Sequence, residues 1–376
     1  MTEVLIIGGG IIGLSIAREL RQKGVEKVKI LEKNSACGME ASSAAAGMLA
    51  PQAEADNADD FFDFCQASRD LYPNFAEELF AETGVDIELD QTGTLYLAFT
   101  EKDVEELEKR FTWQKQANLQ VEKLTAKEVL QIEPNVSPKV LFGLRFPMDW
   151  QVENCKIIEA FVRARNGGEF VAREVRSLIF ENNKIIGVET DIEKIYAPVV
   201  IIASGAWTSL IKDKHSLLSN IKVKPIRGQM IAFNDYGKLF RHVIYNRRGY
   251  AVPRKDCRIL IGATVEDVGF DSRTTSAESA SLLNVAFEIS PEFEKLSLKK
   301  TWAGLRPFVA DGLPILGAFP EIENLFIATA HYRHGILLAP LTAKILADNI
   351  AGNAESKYLE IFSPRRFQKL AISNKQ

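Results

Sequence analysis

The sequence predicts a Rossmann-type α/β fold interrupted by two insertions that together build a second, β-rich domain. Three observations carry this prediction. The chain opens EVLIIGGGIIGLSIAREL, an apolar run that meets three glycines and turns into a helical pattern, and a second apolar run then closes on Glu32. Runs of the same kind return at PVVIIAS (198–204) and at 325–328, the latter followed by a helix-like stretch at 335–350. Between them, 75–148 and 220–300 are charged or strand-patterned and broken by Gly and Pro. The expected division is therefore 1–74, 149–219 and 301–376 for the α/β domain, with 75–148 and 220–300 forming the other.

Each element follows from local pattern. Residues 3–8 are continuously apolar, as a strand buried on both faces requires. Ile11, Ile12, Ser15, Ile16 and Leu20 fall at helical spacing, and Gly24 ends that helix. Val28 to Leu31 supplies the second strand of a βαβ unit. Phe61, Phe62, Phe64, Leu71, Phe75 and Leu79 predict one long amphipathic helix ending near Gly84. A strand over 93–99 and a charged helix over 101–117 follow. Thr125 and Glu128 form a capping box that opens a short helix at 125–132. The turn Glu181-Asn182-Asn183 joins strand-like runs at 175–180 and 185–190 into a hairpin. Several strands are expected over 221–263, and a helix over 276–288.

The chain has 376 residues, 46% of them hydrophobic, enough for one or two substantial cores. Its formal charge of −4 provides no broad footprint for nucleic acid or an anionic membrane. Arg365, Arg366 and Lys369 form too short a cluster to change that and read as a solvated tail. Cys37, Cys65, Cys155 and Cys257 are widely scattered, which suits neither a zinc site nor a disulfide framework. There is no basic leader pattern, and no apolar run approaches the ~20 residues of a spanning helix. A cytoplasmic location is expected.

The glycines carry the first chemistry. In Gly8-x-Gly10-x-x-Gly13, Gly8 permits a tight turn, Gly10 lets backbone approach a pyrophosphate, and Gly13 lets helix pack on strand. The helix N-terminus offers N–H groups and a positive dipole to phosphates. Glu32, about twenty residues after the last glycine, is placed to accept hydrogen bonds from ribose hydroxyls. This much admits either a nicotinamide or a flavin dinucleotide. EASSAAAGM (40–48) is a run of small residues suited to contact with a large planar group, and VVIIASGAWTS (199–209) is a strand leading into Gly205 and a helical turn. Together, in this order, they point to FAD.

Those segments, with PRK at 253–255, GAT at 262–264, WAGLRP at 302–307, DGLPILG at 311–317 and HYRHGILLAP at 331–340, resemble the D-amino-acid oxidase superfamily. Within it the resemblance is nearest to the glycine oxidases of thiamine biosynthesis, and it runs along essentially the whole chain. It implies an α/β plus α+β architecture, a Rossmann-type FAD domain with an inserted antiparallel-sheet substrate domain. It implies non-covalent FAD, and no cysteine follows Cys257 to attach one. The implied reaction takes hydride from the α-carbon of glycine, sarcosine or D-alanine to flavin N5. Oxygen is then reduced to H2O2, and the imine hydrolyses or passes to a thiazole synthase. A homo-oligomer, a tetramer in many relatives, is implied as well. A D-amino-acid or sarcosine dehydrogenase using another electron acceptor is the alternative.

The resemblance also assigns residues. Arg306, between Gly304 and Pro307, matches the carboxylate-binding arginine, whose planar fork fixes orientation as well as charge. Tyr250 and Arg333 match its partners at the substrate. Cofactor contacts fall on Gly8, Gly10, Ile11, Ile12, Gly13, Glu32 and Lys33 at the nucleotide end. Ala41, Ser42, Ala46, Gly47 and Met48 follow, then Val175, Ser204, Gly205 and Trp207. The last group is His331, Tyr332, His334, Gly335, Ile336 and Leu337. Hydride transfer needs neither nucleophile nor metal, and the four histidines show no metal spacing; His215 and His242 are expected at the surface. The chain departs from the family pattern at Ala330 (glycine expected), at His334 (asparagine), and at Val265 and Arg248 (often methionine and histidine). Arg248 is expected to bring positive charge to the pocket mouth, and the methyl of Ala330 to alter the backbone beside the flavin.

Overall fold

The computed structural model describes residues 3–164, 168–352 and 354–367; Lys369 lies outside them. Its first layer is a six-stranded sheet in the order Ile315–Ala318, Leu325–Thr329, Val199–Ile202, Val4–Ile7, Val28–Glu32 and Glu169–Ala172. Every neighbouring pair is parallel except the edge pair of Ile315–Ala318 with Leu325–Thr329. Val4 pairs with both Val28 and Val199, so the first apolar run of the sequence sits mid-sheet, buried on both faces. Helix Ile11–Gln22 leaves the end of that strand and packs back on it. A Cβ at Gly13 would stand 2.0 Å from the Gly8 carbonyl oxygen, so only glycine permits this approach.

The long helix expected over 61–84 is two helices, Asp60–Asp70 and Tyr72–Thr83. Pro73 is the reason: it has no N–H for the Arg69 carbonyl and its ring crowds that turn, but it fits the first turn of a new helix. Asp59 caps the first helix through the Phe62 amide at 2.8 Å, and Gly84 ends the second at φ 72°. A second proline shapes the core. Pro340 lies inside helix Gly335–Gly352 and leaves the Ile336 carbonyl without its helical donor. The buried Tyr72 hydroxyl donates to that oxygen, and Ser68 Oγ donates to the next carbonyl, Leu337, at 2.7 Å. At 18 residues with mean hydropathy 1.2, Gly335–Gly352 reaches the length and average composition of a spanning helix, although Lys344, Asp348 and Asn349 interrupt its apolar run. Here it packs against Ile11–Gln22 and Asp60–Asp70, with Leu338, Ala339, Ala343 and Ala347 fully covered.

The second layer is an eight-stranded sheet ordered Leu298–Phe308, Lys224–Asn234, Arg258–Gly262, Gly249–Pro253, Val243–Asn246, Thr94–Ala98, Phe142–Phe146 and Glu122–Thr125. It is antiparallel except where Val243–Asn246 meets Thr94–Ala98. The region 221–263 thus forms four strands. Strand Leu298–Phe308 runs antiparallel to Lys224–Asn234, and the boundary expected at residue 301 falls inside it. Helix Ser276–Ile289 covers this sheet, capped by Thr275. The hairpin expected around 181–183 forms from Val175–Glu181 and Lys184–Thr190. Both Thr100/Asp103 and Thr125/Glu128 make reciprocal capping boxes.

His242 is a correction. It is buried, and the buried Glu133 carboxylate accepts from its Nδ1 at 2.7 Å and from the Arg241 and His242 amides. A carboxylate out of water needs such donors, which draws the histidine inward. His215 is exposed.

Candidate active site

A cavity of about 470 Å³ runs from the glycine turn after the first strand to the face of the antiparallel sheet. At its nucleotide end lie Gly8, Gly10, Ile11 and Ile12. Gly8 has φ 109°, and a Cβ there would come within 2.4 Å of the Ala203 oxygen. Gly10 precedes the helix without a capping side chain. The Ile11 amide is taken by Ser42 Oγ at 3.0 Å; the following first-turn amides have no helical acceptor of their own. Gly13 does not line the cavity: its work is the helix–strand contact described above. Glu32 lines it and is buried. Its Oε2 accepts from the Gly9 amide at 2.9 Å, and its Oε1 from the Asn34 amide and side chain, both at 2.9 Å.

Farther along this end, Lys33 pairs with Glu40 and places its ammonium 4.2 Å from the Trp207 ring centre. Val175 is flanked by Arg173 and Arg176. Ser204 and Gly205 begin a 3-10 turn, tied by a 3.1 Å contact between Ser204 Oγ and Thr208 Oγ1.

The small-residue run forms the middle of the cavity. Ala41 and Ser42 lie on a single helical turn, Ala41–Ala44, and Ala46, Gly47 and Met48 continue along the wall. Each small side chain has a spatial reason. A Cβ on Gly47 would meet the Val152 oxygen at 2.0 Å, and one on Gly304 would meet the Ala44 methyl at 2.5 Å. Trp302 Nε1 donates to the Ala44 carbonyl at 3.0 Å, fastening the loop to the antiparallel sheet. From the same sheet, the buried Arg254 donates to the carbonyls of Ala46 and, at 2.7 Å, Val152. A methyl-lined wall held at this spacing fits a broad planar group, and the amide-bearing turn fits its diphosphate.

Past this wall the cavity collects charge. Arg306 and Tyr250 reach it from strands Leu298–Phe308 and Gly249–Pro253. The Arg306 guanidinium donates to the Thr264 carbonyl at 2.9 Å, and no carboxylate among the described residues pairs with it. It lies over Gly228, and the Tyr250 ring lies over Gly262, the residue directly opposite on the next strand. Burial raises the Tyr250 hydroxyl above its ordinary range, against the lowering influence of Arg306 and Arg333, so it stands as a protonated donor.

Arg333 also reaches the cavity but is not free. Its Nη2 donates to Glu54 Oε1 at 2.9 Å, and the Tyr245 hydroxyl donates to the same oxygen at 2.8 Å. Burial pushes the Glu54 carboxyl up, but Arg333, His334 and the Tyr245 hydrogen bond outweigh it and hold the group at about 2. Neither Glu54 nor Tyr245 follows from the motifs. The only hint was position: Glu54 ends the one-turn helix Pro51–Glu54, directly after the small-residue loop.

His331, Tyr332, His334, Gly335, Ile336 and Leu337 close the far wall, where the core helix begins. Burial lowers His331 to about 3; it contacts Thr342 Oγ1 at 3.1 Å. Burial also lowers His334, to about 4, despite the opposing pull of Glu54. Both are neutral near pH 7. Arg248 is a correction: it does not line the cavity, because Glu288 and Asn246 engage it at the surface. Ala330, at φ 58°, turns its methyl into the core beneath the sheet and does not line the cavity either.

The comparisons agree with this geometry. Residues 3–349 match the family model described as FAD dependent oxidoreductase (DAO). The chain is 33% identical to the glycine oxidase of Geobacillus kaustophilus, with 97% of each chain covered. The crystal structure of glycine oxidase from that organism superposes with a TM-score of 0.90, covering 96% of this chain and 97% of that one. This chain is also 33% identical to the bifunctional protein ThiO/ThiG of Trichormus variabilis, covering 98% of this chain and 56% of that one. A glycine turn suited to a diphosphate, a methyl-lined wall suited to a planar ring and a match along nearly the whole length all lead to one assignment: the chain belongs to the DAO family of FAD-dependent oxidoreductases.

Proposed function

We propose that this protein oxidises glycine and other small primary or secondary amino acids with oxygen as acceptor, releasing H2O2. The observation that carries the reading is the half-buried Arg306, unpaired with any carboxylate among the described residues, beside the Tyr250 hydroxyl in the cavity that fits FAD. A guanidinium and a phenol together hold a carboxylate by directed hydrogen bonds, which fixes where the α-carbon stands. When bound, FAD supplies the two-electron acceptor that oxygen then re-oxidises. The chain's own residues supply position and exclusion of water: Gly8, Gly10, Ile11, Ile12, Glu32 and Lys33 hold the nucleotide, and Ala41–Met48 and His331–Leu337 flank the flavin. Loss of hydride from the α-carbon leaves an iminium, which water hydrolyses to the 2-oxo acid and ammonia, or to the 2-oxo acid and a primary amine when the substrate amine is secondary.

Support for a further use of the imine comes from the Trichormus relative, which joins a homologous half to a second part in one bifunctional protein; we read this as hand-over to a thiazole-forming enzyme. The four cysteines are all free thiols in the fold, which supports the cytoplasmic location we infer. Anaerobic mixing with glycine, sarcosine and D-alanine is expected to bleach the flavin, and readmitted air to yield peroxide. Arg306→Ala should retain FAD yet lose reduction by glycine by a factor of about 100 or more. Dye reduction without peroxide would instead indicate a dehydrogenase, and unchanged reduction in the variant would remove Arg306 from the reaction.

A further inference from the structure

We propose that Glu54 sets the substrate class by masking Arg333, so that the site accepts amino acids with one carboxylate and excludes those with two. The proposal deepens the reading above and rests on it. Arg306 and Arg333 line the same cavity and are close enough for each to influence Tyr250. Two arginines in one pocket would ordinarily invite a dianion, because each can hold a carboxylate through paired N–H donors.

Here the second arginine is already occupied. Arg333 Nη2 spends its hydrogen bond on Glu54 Oε1 at 2.9 Å, and Tyr245 locks the same oxygen at 2.8 Å. The Glu54 side chain is 18% exposed and that of Arg333 29% exposed, so the pair is only partly wetted. His331 and His334 are neutral at pH 7 and add no charge. Two cations against one anion leave a single net positive charge. That matches the reactive form of a simple amino acid, which has a neutral amine and one carboxylate. A diacid brings a second carboxylate to a cation that is already neutralised, and places it beside the Glu54 carboxylate. Like charges held together in a partly desolvated pocket are an effective basis for rejection.

Glu54 is positioned for this role by a dedicated support. The buried Asp149 carboxylate accepts from the Gln52 and Ala53 amides at 3.1 and 2.7 Å, and Arg110 donates to the carbonyls of Gln52 and Ala55. The turn carrying Glu54 is thereby fixed at both ends. A side chain kept only to neutralise a surface arginine would need no such frame.

The test uses purified holoenzyme and two inert anions, acetate and malonate, followed through the flavin absorbance. Wild type should bind malonate no more tightly than acetate. Glu54→Gln keeps the shape and an acceptor for Tyr245 but removes the charge; it should tighten malonate by about tenfold or more and change acetate little. The double variant Glu54→Gln/Arg333→Gln should lose that gain. In turnover, the ratio of kcat/KM for iminodiacetate over glycine should rise in Glu54→Gln by a similar factor. Tight malonate binding by wild type would overturn the proposal even if the variant failed to fold. So would an unchanged malonate affinity in Glu54→Gln, or a gain that survived without Arg333. The anion titration needs no turnover, so it stands apart from the amino-acid panel: failure of every amino acid to bleach the flavin would sink the functional reading by itself.

Discussion

Gly228 and Arg306 share one small volume across two neighbouring strands. A Cβ on Gly228 would stand 2.2 Å from Arg306 Nη2 and 2.3 Å from Cζ. Arg306 pairs with Ile226, two residues along from Gly228 on the same strand, so the guanidinium lies back over the glycine. The absence of a side chain at 228 is what lets a long cation lie flat in the cavity wall. Gly228→Ala is therefore expected to push the guanidinium off its position without touching the nucleotide end. Stopped-flow flavin reduction should show kcat/KM for glycine reduced by about 100-fold, with FAD content unchanged. Wild-type reduction would show that the arginine tolerates displacement.

Arg254 links the two layers beside the small-residue wall of the cavity. Its guanidinium donates to the Ala46 and Val152 carbonyls and to Gln151 Oε1 at 3.2 Å, and it lies 3.4 Å from Glu153. Arg254→Met would leave buried acceptors unmet, a loss of about 3–5 kcal/mol, and would release the loop 46–48. Thermal melting should fall by several degrees, and flavin fluorescence on dilution should show FAD leaving more readily than from wild type. Retention of both properties would mean the loop is held by Gly47 and Trp302 alone.

Ala330 tests where a departure from the family pattern acts. Its φ of 58° costs an L-residue about 1–2 kcal/mol, while its buried methyl returns about 0.8 kcal/mol. Ala330→Gly should therefore change stability by no more than about 1.2 kcal/mol and leave the flavin spectrum as it is, since the methyl faces the core. A shifted flavin spectrum would place that methyl in contact with the cofactor.

His331 and His334, both lowered by desolvation, predict acid lability. Burial holds His331 at about 3 and His334 at about 4, below their ordinary 6.5. The unfolded chain therefore takes up protons first as pH falls, and stability present above 6.5 declines toward the folded values. Each imidazole contributes a slope of about 1.4 kcal/mol per pH unit within that window. Glu54, held at about 2 against an ordinary 4.5, adds the same sign of loss below 4.5. Denaturant titrations of holoenzyme with excess FAD between pH 7 and 5 should show the decline, and His331→Gln should flatten it. A level profile would mean the histidines are charged in the folded protein.

Much of the fold was legible because its signals are local. A continuous apolar run, three glycines and an acidic strand end specify the βαβ unit within about thirty residues, and the capping boxes mark their own helices. The break at Pro73 was also local, but the aromatic periodicity across it was continuous and outweighed one imino acid. His242 was misplaced because its partner, Glu133, is more than a hundred residues away in sequence. The paired arginine was legible only as an arginine: its partner belongs to a helix nearly three hundred residues earlier.

By itself the sequence determined the dinucleotide turn and the two-layer plan, since amide geometry at a glycine turn and apolar periodicity depend on neighbours along the chain. Only the tertiary structure decided how charge is distributed in the cavity. Arg306 is left open because Gly228 makes room for it and no carboxylate among the described residues pairs with it, whereas Arg333 is closed by Glu54, which Tyr245 holds. Coulomb and hydrogen-bond energies depend on separation in space, and chain order carries no record of that separation until the strands pair.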